Sequence, residues 1–446
     1  MTHLSLYWKN GYTSLLDWED GINLHDWTQA TPSTGGPTIE TLGLRVRGTS
    51  TNNVADILQS IDQKIRESTY YFSGIDLYPV WLYAGAVGET ELRRAMVLNM
   101  QGSPGRSMMD YVFSNTHQLN EYTLAVERVP FWEDVSRTNY SISQRPAHKF
   151  ELGTTIGGDA PARIDCVDIS GWQAYKWSEV WLGFRTDRLA PRANFDPEIT
   201  FTEGFGRVDT TITGGVASCA FVTETLQERV YLRMKNLSGM EAYYRGEFQV
   251  LLLASVGSGM TVNLRLKHGF YTDDNEATDN TWIAHDNRVQ LTSTSVQLLD
   301  MGVVRIPFTR GVESNTFFEG HALCFDAELI SGSGTLTMSK IILIPRNEGF
   351  LYLKAGVESA YATITTADIA RIYTHPDGSV EGHWYDDGVP GKALELSTSN
   401  WSLPVGDSLV CWAANRTAAN GGYVAGHELN LAFRYFQRWR TLKGAG

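Results

Sequence analysis

Cysteine is scarce in this chain. Four residues, Cys166, Cys219, Cys324 and Cys411, are scattered through 446 positions, with no Cys-x-x-Cys spacing. That excludes a dense disulfide framework and argues against a zinc site or a redox pair. Buried free thiols in a protein made in a reducing cytoplasm fit better. Basic residues are outnumbered, 37 Lys and Arg against 50 Asp and Glu, for a formal net charge of −13. Nucleic-acid binders draw affinity from neutralised phosphates and usually carry a basic excess, so no nucleic-acid partner is expected. No stretch reaches the roughly 18 consecutive apolar residues that a helical membrane span needs, so no membrane insertion is expected. The opening "MTHLSLYWKNGYTSLLDWEDG" has no basic region followed by a long apolar run, so it does not read as a secretory signal. Catalytic signatures are missing too: there is no GxSxG elbow, no HExxH and no GxxxxGK[ST] loop. The expectation is a protein that is not an enzyme.

What is abundant points to β structure. The chain holds 42 Gly, 20 Tyr and 13 Trp, residues of turns and strands. Its length suits about three domains of ~100–200 residues each. Residues 1–135 read as strands around one helix. Asn10-Gly11 between two β-rich runs signals a hairpin, and "TIETLGLRVRG" alternates Leu42, Leu44 and Val46 with polar residues. Val54, Ile57, Leu58, Ile61 and Ile65 fall at helical spacing, which predicts an amphipathic helix over 53–67 capped by Asn52 or Asn53. A polar stretch at 136–149 reads as a linker or arm. From 199 to 346 short strands follow one another with Gly-rich turns and no helix, the pattern of a β-sandwich. Within it "GEFQVLLLASVGSGMTVNLRLKHGF", 246–270, reads as two strands of a hairpin joined at Gly257-Ser258-Gly259. Residues 349–442 return to strands.

Candidate chemistry is sparse. Glycoside hydrolysis needs two carboxylates across a sugar. Glu203 with Asp209, or Asp326 with Glu328, are pairs to consider, although acids on strand surfaces are mostly solvated. "DDNEATDN", 273–280, is the densest acidic loop. It lacks the EF-hand spacing and reads first as a solvated loop, with Asp273, Asp274 and Glu276 as candidate calcium ligands. Tyr243, Tyr244, Tyr271 and Trp282 lie in or near loops of the 199–346 stretch. They are either core aromatics or rings for stacking on a sugar. His268, His285 and His321 show no metal spacing, and "GGDAP" at 157–161 reads as a turn. "RYFQRWR", 434–440, reads as a final strand with a polar face.

Taken together, the segments resemble a known family. Residues 1–135, with strands, one helix, more strands and a closing tryptophan strand, resemble the N-terminal domain of distal tail proteins of long-tailed (siphovirus-like) phages. "LGTTIGGDAPARIDCVDIS" resembles the segment that opens the second domain of such chains. "TSNWSLPVGDSLVCW" and "FRYFQRWR" resemble its late turn and closing strand. The 199–346 stretch is similar to a carbohydrate-binding jelly roll through "TFTEG", "GEFQVLLLAS" and "SKIILIP". The resemblance implies a mainly β chain of three parts: an N-terminal ring-forming β domain at 1–135, a galectin-like β-sandwich split into 147–190 and 349–442, and a jelly roll inserted at 199–346. It implies a virion structural protein of the distal tail or baseplate, with copies closing a ring, hexameric by analogy, between the tail tube and the tail-tip or hub proteins. Asp56, Gln63 and Arg66 on the helix would face that ring or the tube. The jelly roll would dock partners or a host-surface glycan, through Tyr243, Tyr244, Tyr271 and Trp282, with calcium as its one cofactor candidate. The alternatives are a lectin-like carbohydrate-binding protein and, less favoured, a glycoside hydrolase.

Overall fold

The computed structural model describes residues 3–9, 11–16, 18–30, 36–85, 92–104, 118–144, 148–172, 176–187, 195–202, 205–222, 224–233, 244–271, 281–284, 288–306, 320–354, 365, 367–386, 388–416, 421–423 and 428–442. The fold is mainly β, built from antiparallel sheets with a single helix among the described residues.

The N-terminal part follows the alternation of its sequence. Strand Thr38–Arg47 buries every second residue, so Leu42, Leu44 and Val46 enter the core while their neighbours face outward. Trp8 pairs with Gly11 and Tyr7 with Tyr12, the hairpin that Asn10-Gly11 signals. The helix runs Thr51–Glu67 and buries Val54 and Ile61 against this core. It begins two residues earlier than its apolar periodicity predicts, because Ser50 is the cap: its Oγ accepts the Asn53 N–H at 3.2 Å. Asn53 instead turns back, and its Oδ1 accepts the Thr49 N–H at 3.0 Å.

A short strand, Trp132–Asp134, joins the two ends of the chain. It pairs on one side with Arg93–Pro104 and on the other with the final strand, Leu429–Trp439. One 14-stranded sheet therefore runs from the N-terminal strands through this seam into Ala160–Ser170, Ile369–Thr374, Val380–Asp386 and Val389–Ala393. Glu133 sits between Arg94 and Arg438 in register, and the Arg163 guanidinium clasps it through Nε and Nη2 at 2.8 and 2.9 Å. Two of the three cations of "RYFQRWR" meet carboxylates of the chain, Arg434 at Asp168 and Arg438 beside Glu133, while Arg440 is exposed. "GGDAP" opens with a turn, with Gly158 at φ 95°, where an added Cβ would stand 2.3 Å from the Arg438 carbonyl oxygen.

Against this sheet lies a second, five-stranded one: Lys149–Glu151, Leu409–Asn415, Glu179–Arg185, Phe350–Lys354 and Glu395–Ser399. Its central strands are buried almost without interruption, which happens when both faces of a sheet are covered. Val180, Leu182 and Phe184 point into one core with Ile164, Val167 and Phe433. Trp181, Cys411 and Ala413 point into another with Ile342, Ile344 and Leu298. The layers approach closely at Gly183, since a Cβ there would stand 2.2 Å from the Pro345 carbonyl oxygen.

The chain leaves this sheet at Arg185 and re-enters it at Phe350, where the two strands are partners. Between them residues 198–345 form two sheets of their own. A six-stranded sheet holds Glu198–Ile199, Thr210–Thr213, Val216–Ala220, Gly246–Val256, Gln297–Ile306 and Thr335–Pro345. A five-stranded sheet holds Gln227–Arg233, Thr261–Tyr271, Thr281–Ala284, Val289–Leu291 and Gly320–Ser331. The segment 246–270 is not a hairpin. Gly246–Val256 pairs with Gln297–Ile306 and Thr335–Pro345, whereas Thr261–Tyr271 pairs with Gly320–Ser331 in the opposite sheet. The Gly257–Gly259 turn is an arch across the sandwich. Two apolar faces can be buried by facing each other as well as by lying side by side, and here they face each other.

Candidate functional site

Two surfaces carry the residues singled out from the sequence. The first belongs to the N-terminal part. Asp56, Gln63 and Arg66 all lie on the exposed side of the helix. Arg66 pairs with Asp62 at 3.1 Å, and Gln63 donates to Glu67 at 2.7 Å. The loop that follows the helix was not singled out, yet it is the most apolar exposed feature described. Ile75 is 68% exposed and Leu77 85%, with Phe72 and Tyr78 beside them. The loop is held from below: Trp8 Nε1 donates to the Tyr78 carbonyl at 3.2 Å, and Lys9 pairs with Asp76 at 2.6 Å. The sequence signal was available, since "FSGIDLY" places apolar side chains among turn residues with no period that would bury them.

The second surface is the outward face of the five-stranded jelly-roll sheet. Its rows are set by register: Arg265 beside Asp326, Lys267 beside Cys324 and Tyr231, Gly269 beside Ala322. Arg265 grips Asp326 Oδ2 at 2.6 and 3.1 Å. Lys267 Nζ stands 2.6 Å from Glu228 and 3.2 Å from Asp326. Glu228, Cys324 and Asp326 bring donor atoms within 4.8 Å of one another. They do not fit a metal, because the Lys267 ammonium already fills the space between the carboxylates, and burial with the nearby carboxylates pushes the Cys324 thiol up, keeping its proton. Asp326 and Glu328 do share one strand face, but each is tied to a cation, Glu328 to Arg288 at 2.5 Å. Asp209 lies 3.8 Å from Arg229, and Glu203 lies outside the described residues.

Among the candidate sugar-stacking rings, Tyr244 is a correction. It is buried against Phe195, its hydroxyl donates to the Asp196 carbonyl at 2.9 Å, and burial pushes its phenol up to about 12. A ring closed into the core offers no face to a sugar. Tyr271 and Trp282 lie on paired strands, with side chains outside the described residues. Tyr243, Asp273, Asp274, Glu276 and His285 also lie outside them. His268 and His321 are buried 5.4 Å apart on the core side of the same sheet; burial and then the charge of His268 hold the His321 imidazole down to about 4. All four cysteines are buried and free.

Stacked antiparallel sheets, one discontinuous in sequence, define a mainly β protein. No family model matches the chain, and no curated protein does. Among solved structures it is similar to a chain of the phage P2 baseplate in its activated conformation with Ca, at 8% identity and a TM-score of 0.21, over 76% of this chain and 98% of that one. It is also similar to the N-terminal CBM22 tandem of Paenibacillus barcinonensis Xyn10C, at 12% identity and a TM-score of 0.19, over 54% of this chain and 95% of that one. A chain of infectious bursal disease virus, Gx strain, matches at 8% identity and a TM-score of 0.18, over 69% of this chain and 83% of that one.

Proposed function

We propose that the chain is a non-catalytic structural protein of a phage virion, placed in the distal tail or baseplate. Copies close a ring between the tail tube and the tail-tip proteins, and the 198–345 sandwich projects as a docking surface for partners or a host glycan. The sequence resemblance motivates this reading. The observation that carries it is the Phe72–Tyr78 loop, whose apolar side chains stand in solvent beside a charged helix face. Contiguous exposed apolar surface marks interaction sites, and a surface patch that fits a different patch on the next copy closes a ring by rotation. The asymmetric pairing of helix face and apolar loop suits such a head-to-tail contact.

Negative-stain microscopy and sedimentation of the purified chain test this. Closed rings are expected, and Leu77→Asp with Ile75→Asp should dissolve them without changing the circular dichroism. A strictly monomeric species that stays monomeric at high protein concentration sinks the ring reading.

A further inference from the structure

The sandwich that flanks the jelly roll in sequence has a face where serines, Asn430 and Asp168 stand among Ile142, Ile369 and Ala432. Thr138–Gln144, Leu429–Trp439, Ala160–Ser170 and Ile369–Thr374 lie side by side, and register sets their outward rows. Ser143, Asn430 and Ser170 form one row. Ser141, Ala432, Asp168 and Arg371 form the next. The side chains nearest the edge are short, and they leave an open depression of about 470 Å³. Single-ring and two-ring ligands fit depressions of this size.

The chemistry of the lining is specific. The hydroxyls of Ser141, Ser143 and Ser170 and the amide of Asn430 make no hydrogen bond to another described residue. Each can both donate and accept. Beside them stands a rigid charged group. Arg371 holds Asp168 through Nε and Nη2 at 2.5 and 2.8 Å, and Arg434 reaches the same carboxylate at 3.0 Å. Arg371 also lies over the Tyr385 ring at 4.7 Å, which fixes its plane. Asp168 is the one carboxylate lining the depression, and the two guanidiniums that flank it without lining it leave a positive charge over, in a chain of formal net charge −13. Charge placed against the sign of the whole molecule favours an anionic occupant.

We propose that this face binds an acidic saccharide: sugar or polyol hydroxyls engage the serines and Asn430, and a carboxylate or phosphate engages Arg434. Serine hydroxyls and the Asn430 amide each donate and accept, which matches the hydroxyls of a sugar or polyol. The preformed Asp168–arginine array binds without first being ordered, which favours even a small ligand. The site lies on a different sheet from the jelly-roll surface and does not depend on ring formation.

Calorimetric titration of the full chain tests the assignment with three probes. These are a galacturonate tetramer, a glycerol-phosphate oligomer and neutral maltotetraose. Binding of one anionic probe with a Kd of about 1 mM or tighter is expected, weakening as salt is raised. Which anionic probe binds distinguishes a uronate polymer from a phosphodiester polymer. Ser143→Trp, at an exposed edge-strand position, and Arg434→Gln should each weaken it by about tenfold or more, whereas Arg265→Gln on the jelly roll should not. Equal binding of maltotetraose, no binding of either anionic probe, or a loss confined to Arg265→Gln would overturn the proposal. Ring formation is scored separately by microscopy, so failure of either reading leaves the other standing.

Discussion

Glu40 and Arg128 form an ion pair with no exposed surface on either side chain. Arg128 Nε and Nη2 reach Glu40 Oε1 at 2.9 and 2.5 Å. The other carboxylate oxygen accepts from Trp27 Nε1 at 2.9 Å and from the Ala30 N–H at 3.0 Å. Arg128 Nη1 donates to the carbonyls of Val129 and Pro130, and the guanidinium covers the Trp132 ring at 4.4 Å. Burial pulls the Arg128 guanidinium below its ordinary value, against the charge of Glu40, which pulls it back. The pair is therefore costly to desolvate and more costly to break. Removing one partner strands a buried charge, a loss of about 3–5 kcal/mol. Removing both leaves no charge to strand.

The perturbation is a double-mutant cycle of Glu40→Gln, Arg128→Met and the two combined. Each single change should destabilise by about 3–5 kcal/mol, and the double should fall short of their sum by about 2 kcal/mol or more. Hydrogen exchange read by mass spectrometry localises the effect. Peptides from Thr38–Arg47 and from 122–128 should exchange faster by about two to three orders of magnitude in the single variants, while jelly-roll peptides keep their protection. If the two losses add to within about 0.5 kcal/mol, the groups are not coupled and the reasoning fails.

Three further outcomes follow from the same geometry. The His321 imidazole is held down to about 4 by burial and by His268, below the ~6.5 of an unfolded histidine. The unfolded chain therefore takes the proton first as pH falls. This contribution, about 3 kcal/mol, is full above roughly pH 6.5 and is lost progressively towards pH 4; urea midpoints for the jelly roll should follow that slope, and His321→Leu should flatten it. Ser50→Ala removes the oxygen that accepts the Asn53 N–H and should cost about 1 kcal/mol in urea unfolding, with no change in assembly. Gly183→Ala forces a Cβ onto the Pro345 carbonyl, a backbone atom that cannot rotate away; a loss of about 1–3 kcal/mol is expected, with faster proteolysis between the two stacked sheets.

The sequence made faces legible and partners illegible. Leu42, Leu44 and Val46 declared a one-sided strand, and Val54, Ile57 and Ile61 declared a helix face, because period alone decides which side is apolar. The helix start was misplaced because five polar residues in a row, Thr49 to Asn53, can all precede a helix, and only backbone geometry chooses among them. The Arg434–Asp168 contact spans 266 positions and depends on a strand register that no local pattern encodes. The apolar loop at 72–78 is readable as a breach of periodicity, whereas an aromatic near a loop, such as Tyr244, is as readily core as surface.

The arch at Gly257–Gly259 is foreshadowed by the unlike patterns of the two strands it joins. In Gly246–Val256 the residues from Phe248 to Ala254 are buried in succession, whereas Thr261–Tyr271 alternates over Thr261–Leu266. Two strands of one half-wet hairpin should share the same alternation. A continuous apolar run places the first strand in a sheet covered on both faces, whereas the second alternates only as far as Leu266 and is buried on both sides over Leu266–Gly269. The run "FQVLLLA" therefore already implied a further layer behind the jelly roll. That layer is the sheet carrying Trp181 and Cys411, and Asn415 fastens it by exchanging hydrogen bonds with the Leu298 backbone at 2.9 and 3.4 Å. A jelly roll on a flexible tether would need a polar outer face on that sheet. This one spends its apolar surface on the five-stranded sheet, whose other face packs through Val180, Leu182 and Phe184 on the 14-stranded sheet that holds the Glu133 seam.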